Sequence, residues 1–236
     1  MPQEPLLPFP SGTLEASFLR REKRFLVEVE TRQGALWVHC NNSGSMMGLM
    51  RPGNRVLISP AAGPRRKLPY TLELVRSNGT WVGINTLVPN RLLRRAWELG
   101  LLPETVGYGS FHPEVQLGGS RIDALLSSPS KRLWIEAKNV TLVEFDVAYF
   151  PDAVTKRGQR HLEKLMALAA EGERAACFYL VQRQDARCFG PADFVDPKYA
   201  ELFWKALELG VEIWPYKARI STEGISLGPR LALFRA

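Results

Sequence analysis

The sequence reads RIDALLSSPSKRLWIEAK over residues 121–138, two apolar, strand-like segments joined by a turn-like one. Side chains alternate between the two faces of a strand, so Glu136 and Lys138 are expected to share a face. If the segments pair through the turn, Asp123 approaches Glu136 across the ladder. The pattern therefore predicts that two carboxylates and an amine converge.

Such a group fits metal-assisted hydrolysis of a phosphodiester. Carboxylates are hard oxygen ligands suited to Mg²⁺, and an ammonium group orients water or neutralises phosphate charge. The ordinary alternative is a solvated strand face with a weak Glu–Lys pair. The apolar surroundings of Asp123 and Glu136 favour the first interpretation, because an ionised group there needs a partner, a metal or water.

Length and composition limit the class of protein. The chain has 236 residues, 45% of them hydrophobic, which is enough for one large or two small packed domains. Charges interrupt every apolar stretch before the roughly 20 residues needed to cross a bilayer, so we expect no membrane partner and no secretory signal. Cys40, Cys177 and Cys188 lack metal-ligand spacing, which argues against zinc and for reduced thiols in a cytoplasmic protein.

The charge is positive and unevenly distributed. The formal net charge of +7 favours polyanionic partners such as DNA. Residues 1–85 hold 11 basic and 6 acidic residues, a net charge of +5, whereas residues 86–236 hold 20 and 18, a net charge of +2. The first third of the chain is therefore the expected centre of nucleic-acid binding.

Residues 1–85 are predicted to form a five-stranded, OB-type barrel. Strands are expected at residues 25–30, 35–39, 55–59, 70–76 and 80–84, with glycines between them. Such barrels bind single strands with a basic groove and stacking aromatic residues. The candidate contacts are Arg51, Arg55, Arg65, Arg66 and Lys67. Trp37, Tyr70 and Trp81 lie near them in sequence; we expect Trp37 in the barrel core.

Residues 86–236 are predicted to form a second, α/β domain. Helices are expected at residues 89–99, 153–170 and 197–209, the second capped by Asp152 and the third by Asp196. Strands are expected at residues 114–117, 120–126, 132–138, 175–182 and 211–216. The order of the central elements is helix, three strands, helix, strand.

Four segments carry a family resemblance: CNNSGSM at residues 40–46, SRID at 120–123, IEAKNVTL at 135–142 and FPDAVTKRGQRHL at 150–162. Together they resemble the sugar fermentation stimulation protein A family across nearly the whole chain. The resemblance implies an OB-type domain followed by a domain similar to the PD-(D/E)xK nucleases. It also implies a cytosolic, non-specific DNA-binding protein linked to regulation of sugar metabolism, without an established reaction.

The resemblance also implies roles for individual residues. Asp123 and Glu136 match the two metal-binding acids, helped by the carbonyl of Ala137, and Lys138 matches the lysine that orients water. Glu114 is a further candidate ligand, equally well interpreted as a solvated acid. Where relatives usually have Pro-Asn-Thr-Gly, this chain has Asn-Ser-Gly at residues 42–44, a departure that removes neither acid nor lysine.

The helix after these strands supplies three more candidates. Gln159 resembles the polar helical residue beside the metal in the nuclease superfamily, and its spacing from Thr155 and Leu162 turns it toward the strands. Arg157 is a candidate phosphate contact near the helix N-terminus, although solvation is the commoner fate of such a residue. A lone helical histidine is more often packed or at the surface, so His161 stays outside the catalytic set.

The sequence thus predicts a DNA-binding protein with a possible nuclease site that uses Mg²⁺ or Mn²⁺. One alternative is a DNA-binding regulatory protein that keeps a nuclease fold without its reaction. A sugar-linked enzyme is a third option, for which no nucleotide-binding glycine motif is present. A homodimer, the choice between DNA and RNA, and strandedness stay open.

Overall fold

A computed structural model describes residues 4–46, 48–61, 63 and 66–235; the candidate contact Arg65 lies outside them. The strands are β1 (Leu7–Pro8), β2 (Leu14–Glu22), β3 (Leu26–Thr31), β4 (Gly34–His39), β5 (Arg55–Pro60), β6 (Tyr70–Ser77), β7 (Thr80–Gly83), β8 (Ser110–Leu117), β9 (Ser120–Ser127), β10 (Arg132–Val140), β11 (Leu142–Glu144), β12 (Val147–Phe150), β13 (Arg174–Val181), β14 (Cys188–Pro191), β15 (Glu212–Ile220), β16 (Gly224–Arg230) and β17 (Ala232–Leu233). The α-helices are α1 (Val88–Glu98), α2 (Lys156–Ala170) and α3 (Pro197–Glu208).

Strands β2 to β6 close into a barrel. They pair in the order β4-β3-β2-β5-β6, and β4 meets β6 in parallel where His39 lies opposite Thr71. This connectivity is that of an OB fold, and the predicted five-stranded barrel is confirmed. Its interior holds fully buried aliphatic side chains, among them Val27, Ile58 and Leu72.

The predicted membership of the barrel is wrong at one strand. Strand β2 was not expected, and the segment near residues 80–84, expected as the fifth barrel strand, forms β7, which pairs with β6 outside the ring. A β-bulge between Phe18 and Arg20 shifts the register of β2 against β3. The bulge breaks the two-residue periodicity by which a strand is recognised in sequence.

A seven-stranded sheet forms the rest of the core, in the order β1-β16-β15-β13-β10-β9-β8. Helix α1 packs on one face and helices α2 and α3 pack on the other, so β10 is buried on both sides. Ile135 faces α1, whereas Trp134 faces α2. Because side chains alternate, Glu136 and Lys138 face α2 as well.

The first strand of the chain does not follow the expected domain boundary at residue 85. Strand β1 pairs with β16 in the seven-stranded sheet, although residues 1–85 were assigned to the first domain. The boundary itself stays a prediction. A further sheet, β11-β12-β14-β17, flanks the second core, and no helix in the described part of the chain is long and apolar enough to span a bilayer.

Helix caps follow the prediction at α3 and not at α2. Asp196 accepts a hydrogen bond from the backbone N–H of Tyr199 at 3.0 Å, as expected of an N-cap. Helix α2 begins at Lys156 instead of residue 153, and Thr155 is its cap. Asp152 accepts instead from the backbone N–H of Met46 in the barrel, a long-range contact that local sequence does not show.

The barrel and the sheet meet at a tight contact between Gly83 and Gln182. The N–H of Gly83 donates to the carbonyl of Gln182 at 3.0 Å. The amide nitrogen of Gln182 donates to the carbonyl of Asn85 and to the side chain of Asn139. A Cβ atom at Gly83 would lie 2.7 Å from Cδ of Gln182, so only glycine fits.

Replacing Gly83 with alanine is expected to lower the free energy of unfolding by about 1 to 3 kcal/mol, because buried Gln182 cannot move without losing hydrogen bonds. Chemical denaturation measures the loss. Gly83→Ala combined with Gln182→Ala removes the clash, so its loss should be smaller than the sum of the single losses. Strict additivity of the two losses would contradict the contact.

Candidate metal and nucleic-acid site

Asp123 lies where strands β9 and β10 part. Their antiparallel pairing ends at Ala124 and Ile135. Beyond that point Asp123 Oδ2 accepts the backbone N–H of Ala137 at 2.8 Å, and Oδ1 accepts from Nδ2 of Asn90 at 3.0 Å. The carboxylate therefore takes the place of a lost ladder bond and is fixed against both β10 and α1.

Glu136 is buried and shares one oxygen between two partners. Lys138 Nζ donates to Oε1 at 2.6 Å, and His161 Nδ1 contacts the same oxygen. Arg157 Nε donates to His161 Nε2 at 3.4 Å, and Lys138 Nζ lies 3.0 Å from Nδ1 of the same ring. We call Asp123, Glu136, Lys138 and His161 the acid cluster.

The second oxygen of Glu136, Oε2, lies outside these contacts. Oε2 is buried and, within the described residues, accepts no hydrogen bond. A buried carboxylate oxygen without a donor is costly, and in folded proteins an ion or a bound water commonly satisfies such an atom. This orphaned oxygen is the feature of the acid cluster that points to a cation.

The two acids differ in their electrostatics. Burial, followed by the negative charge of Glu136, raises the pKa of Asp123 above its usual value. Burial acts in the same direction on Glu136, but the charge of Lys138 and the hydrogen bond from His161 outweigh it and lower the pKa of Glu136 to about 2. A cation between them would relieve the repulsion that Asp123 experiences.

The donor set fits a metal that needs few protein ligands. Among the described residues, no group of three or more His, Cys, Asp or Glu side chains is arranged to hold a metal. Mg²⁺ keeps several waters and is commonly held by one or two carboxylates. Asp123 and Glu136 Oε2 therefore fit Mg²⁺ or Mn²⁺, whose other ligands would be waters, better than they fit a metal held by protein ligands alone.

Glu114 does not join the two acids. Its side chain is more than half exposed, and Oε2 pairs with Arg121 Nη1 at 3.3 Å. Its backbone has φ of +54°, and it is skipped in the pairing of β8 with β9. The register of β8 against β9 is the same on both sides of Glu114, so Glu114 lies opposite Asp123 in the ladder. Its exposed side chain nevertheless pairs with Arg121, so the solvated alternative is the one observed.

Gln159 is buried but serves another group. Its Nε2 donates to both oxygens of Asp196, at 2.9 and 3.1 Å, and so links helix α2 to the cap of α3. His161, two residues later, contacts Glu136 instead. His161 lies within the family motif at residues 150–162 and four residues after Arg157, on the same side of the helix, and both are sequence signals for this position.

A cleft of about 870 Å³ opens between the barrel and the sheet beside the acid cluster. We call it the barrel–sheet cleft. Arg21 and Arg24 line it from the barrel, and Lys138 and Arg157 line it from the sheet side. The segment at residues 42–45, part of the first family motif, forms another part of its wall.

Hydrogen bonds from the barrel and from the second part of the chain hold the segment at residues 42–45 in place. The guanidinium of Arg21 donates to the carbonyls of Asn42, at 2.7 Å, and Gly44, at 3.1 Å. Ser45 Oγ donates to the carboxylate of Asp152 at 3.1 Å. A Cβ at Gly44 would lie 2.9 Å from Oδ1 of Asn42, which accounts for glycine at this position.

Of the described candidate phosphate contacts, Arg157 lines the cleft, whereas the candidates in the barrel do not. These are Arg51, Arg55, Arg66 and Lys67. Arg55 pairs with Glu15. Sequence reasoning missed Arg21, in β2, and Arg24, in the turn between β2 and β3, because β2 itself was missed.

Trp37 lies outside the barrel core, contrary to expectation. Val38 is fully buried, so alternation along β4 turns Trp37 outward, where Arg20 lies 5.2 Å above its ring. Trp81 is likewise covered by Arg76 at 5.7 Å. An arginine side chain therefore lies over each of the two indole rings.

Family models cover most of the chain. Residues 19–84 match the model described as the SfsA N-terminal OB domain, and residues 87–224 match the sugar fermentation stimulation protein RE domain. The chain is similar to the sugar fermentation stimulation protein homolog of Syntrophobacter fumaroxidans, with 59% identity over 98% of this chain and 88% of the relative. The homolog of Maridesulfovibrio salexigens is 52% identical over 98% of both chains.

A solved structure agrees over the same extent. The structure of Pyrococcus furiosus SfsA in complex with Ca²⁺ superposes with a TM-score of 0.89 and 31% identity, covering 97% of this chain and 99% of that one. The agreement includes both the barrel and the larger sheet. The chain therefore belongs to the sugar fermentation stimulation protein family.

Proposed function

We propose that the protein binds nucleic acid, with DNA as the expected form, in the barrel–sheet cleft and hydrolyses a phosphodiester at the acid cluster with a divalent metal. The observation that carries the proposal is the orphaned Oε2 of Glu136, buried beside a cleft lined by four basic side chains. The Ca²⁺ complex of the Pyrococcus furiosus relative supports a divalent cation in this family. Cytoplasmic location and a part in sugar metabolism remain predictions from the family resemblance.

Each residue of the acid cluster has its own role in the proposed reaction. Asp123 and Glu136 would hold the metal, which supplies Lewis-acid activation of water and phosphate. Lys138 is held by Glu136 at 2.6 Å and lines the cleft. Its ammonium group would orient water or stabilise negative charge on the phosphate. His161 contacts the same oxygen of Glu136 as Lys138 does and would act as a positioning residue.

Cleavage of labelled single- and double-stranded DNA and RNA with Mg²⁺, Mn²⁺ or EDTA tests the proposal, with binding recorded in the same samples. Metal-dependent products from the wild type, lost with EDTA, would support a nuclease and identify its substrate. Binding without cleavage under every condition would favour the non-catalytic DNA-binding alternative. That alternative retains the basic cleft but gives the orphaned oxygen no role.

Binding through phosphates predicts an effect of Arg24→Gly. Lys23 and Arg24 have φ of +47° and +64°, in the left-handed region that favours glycine. Glycine removes a backbone cost of roughly 1 kcal/mol, so stability should not fall. Affinity for DNA should fall several-fold, and the slope of log affinity against log salt should shrink by about 0.7 to 0.9.

Arg32→Gly is the matched control for this prediction. Arg32 is exposed in the turn between β3 and β4 and does not line the cleft. Salt titrations of both variants, with thermal unfolding in parallel, separate binding from stability. Equal losses of affinity in the two variants would count against a role for the cleft.

A further inference from the structure

A second cavity of about 500 Å³ lies on the α2 side of the acid cluster. Its wall includes Arg121, Arg157, Arg160, His161 and Lys164, and no Asp or Glu is among the described residues that line it. We call this cavity the basic pocket. Four cationic side chains around one concavity create a positive potential that attracts anions.

The acid cluster separates the basic pocket from the barrel–sheet cleft. Lys138 lines the cleft and His161 lines the pocket, and both contact the same oxygen of Glu136. Arg157 lines both cavities. The two cavities therefore adjoin across the site where Asp123 and Glu136 would hold a metal.

Two of the cationic side chains of the pocket, those of Arg160 and Arg121, are exposed to a ligand. Arg160 is exposed and, among the described residues, has no ion pair. The pair between Arg121 and Glu114 is more than half exposed on both sides, and such pairs are weak. Lys164 Nζ donates to the carbonyls of Leu117 and Gly118 at 3.1 Å, which fixes its position in the wall of the pocket.

We infer that the basic pocket is a phosphate-binding subsite, and that a nucleic-acid backbone runs from the barrel–sheet cleft across the acid cluster into it. The inference rests on the proposed function and specifies its substrate. A strand that continues on both sides of Lys138 presents an internal phosphodiester there, not a terminal one. The protein is then expected to need no free end.

The joined arrangement favours a polyanion over a small phosphate compound. A single phosphate would need only one of the cavities, whereas basic side chains line both and Arg157 connects them. Repeated phosphate contacts add to affinity through counterion release, so two adjoining basic cavities suit a backbone with many charges. The chemistry recognised is the phosphodiester itself, independent of base.

The test measures binding of a fluorescent single-stranded DNA oligonucleotide in EDTA across a salt series. Arg160→Gln should weaken binding and reduce the salt slope by about 0.7, and Arg121→Gln combined with Arg160→Gln by about twice as much. Arg219→Gln, at an exposed residue of β15 that lines neither cavity, is the matched control and should leave the slope unchanged. A covalently closed circle of the same length should compete as well as the linear strand.

The outcomes separate the inference from the proposed function. If Arg24→Gly lowers the salt slope and the pocket variants do not, the strand does not enter the pocket and the inference is overturned. Failure of the circle to compete would show that an end is needed, with the same consequence. If inorganic phosphate displaces the oligonucleotide at equal phosphate concentration, the pocket serves a small anion and the inference is again overturned. A wild type that binds no nucleic acid would overturn both proposals.

Discussion

Asp123→Asn is expected to reduce metal-dependent cleavage by about 10³-fold while leaving nucleic-acid binding undiminished. Asparagine keeps the size of the side chain and one acceptor oxygen, but it removes the charge that would hold the metal. Loss of several kcal/mol of transition-state stabilisation corresponds to this factor. Binding should not weaken, because the substitution removes negative charge beside the path of the phosphates.

Single-turnover cleavage at saturating protein measures this effect without interference from binding. The control is Asp146→Asn, the same substitution in the exposed turn between β11 and β12, where φ of +65° suits asparagine. It should cleave like the wild type. Equal activity of Asp123→Asn and Asp146→Asn would remove Asp123 from the catalytic set.

Glu136→Ala is expected to lower the free energy of unfolding by about 3 to 5 kcal/mol, because it leaves the ammonium of Lys138 unpaired in a nearly closed site. The side chain of Lys138 is only 11% exposed, and that of Glu136 only 3%. Water therefore replaces the lost carboxylate poorly. Glu136 supports the fold as well as the proposed chemistry, which makes Asp123 the cleaner probe of catalysis.

Lys138→Met in the Glu136→Ala background tests whether the unpaired charge causes this loss. Removing the stranded charge should recover part of the stability, so the double variant should be more stable than Glu136→Ala alone. Denaturant titrations of the wild type, both single variants and the double variant give the coupling energy. A double variant that is less stable than Glu136→Ala would show that the loss comes from the cavity and not from the unpaired charge.

The local sequence pattern was sufficient to predict the pairing of β9 with β10 and the face that Glu136 and Lys138 share. The alternation in residues 133–138 predicted that Glu136 and Lys138 share a face, and both lie on the α2 side of β10. The turn at residues 127–130 predicted the antiparallel partner that brings Asp123 near. A period of two within one segment is a short-range property, so it is readable without knowledge of the fold.

The N-cap of α2 and the bulged strand β2 were not predicted correctly from the sequence. For the cap, more than one suitable residue is present. Asp152 and Thr155 are both good N-caps by type. The contacts of Asp152 with Ser45 and Met46 in the barrel decide between them. The bulge in β2 hid a strand and, with it, Arg21 and Arg24 of the barrel–sheet cleft.

The sequence by itself indicated a five-stranded barrel, the chain order of helix, three strands, helix and strand in the second domain, and the approach of Asp123, Glu136 and Lys138, because these follow from periodicity, turns and local pairing. Only the tertiary structure placed His161 on Glu136, moved Gln159 to Asp196 and removed Glu114 from the acids. It also brought the two basic cavities together at Arg157. These contacts join segments far apart in the chain, and their partners are chosen by packing across the whole fold, which no local pattern encodes.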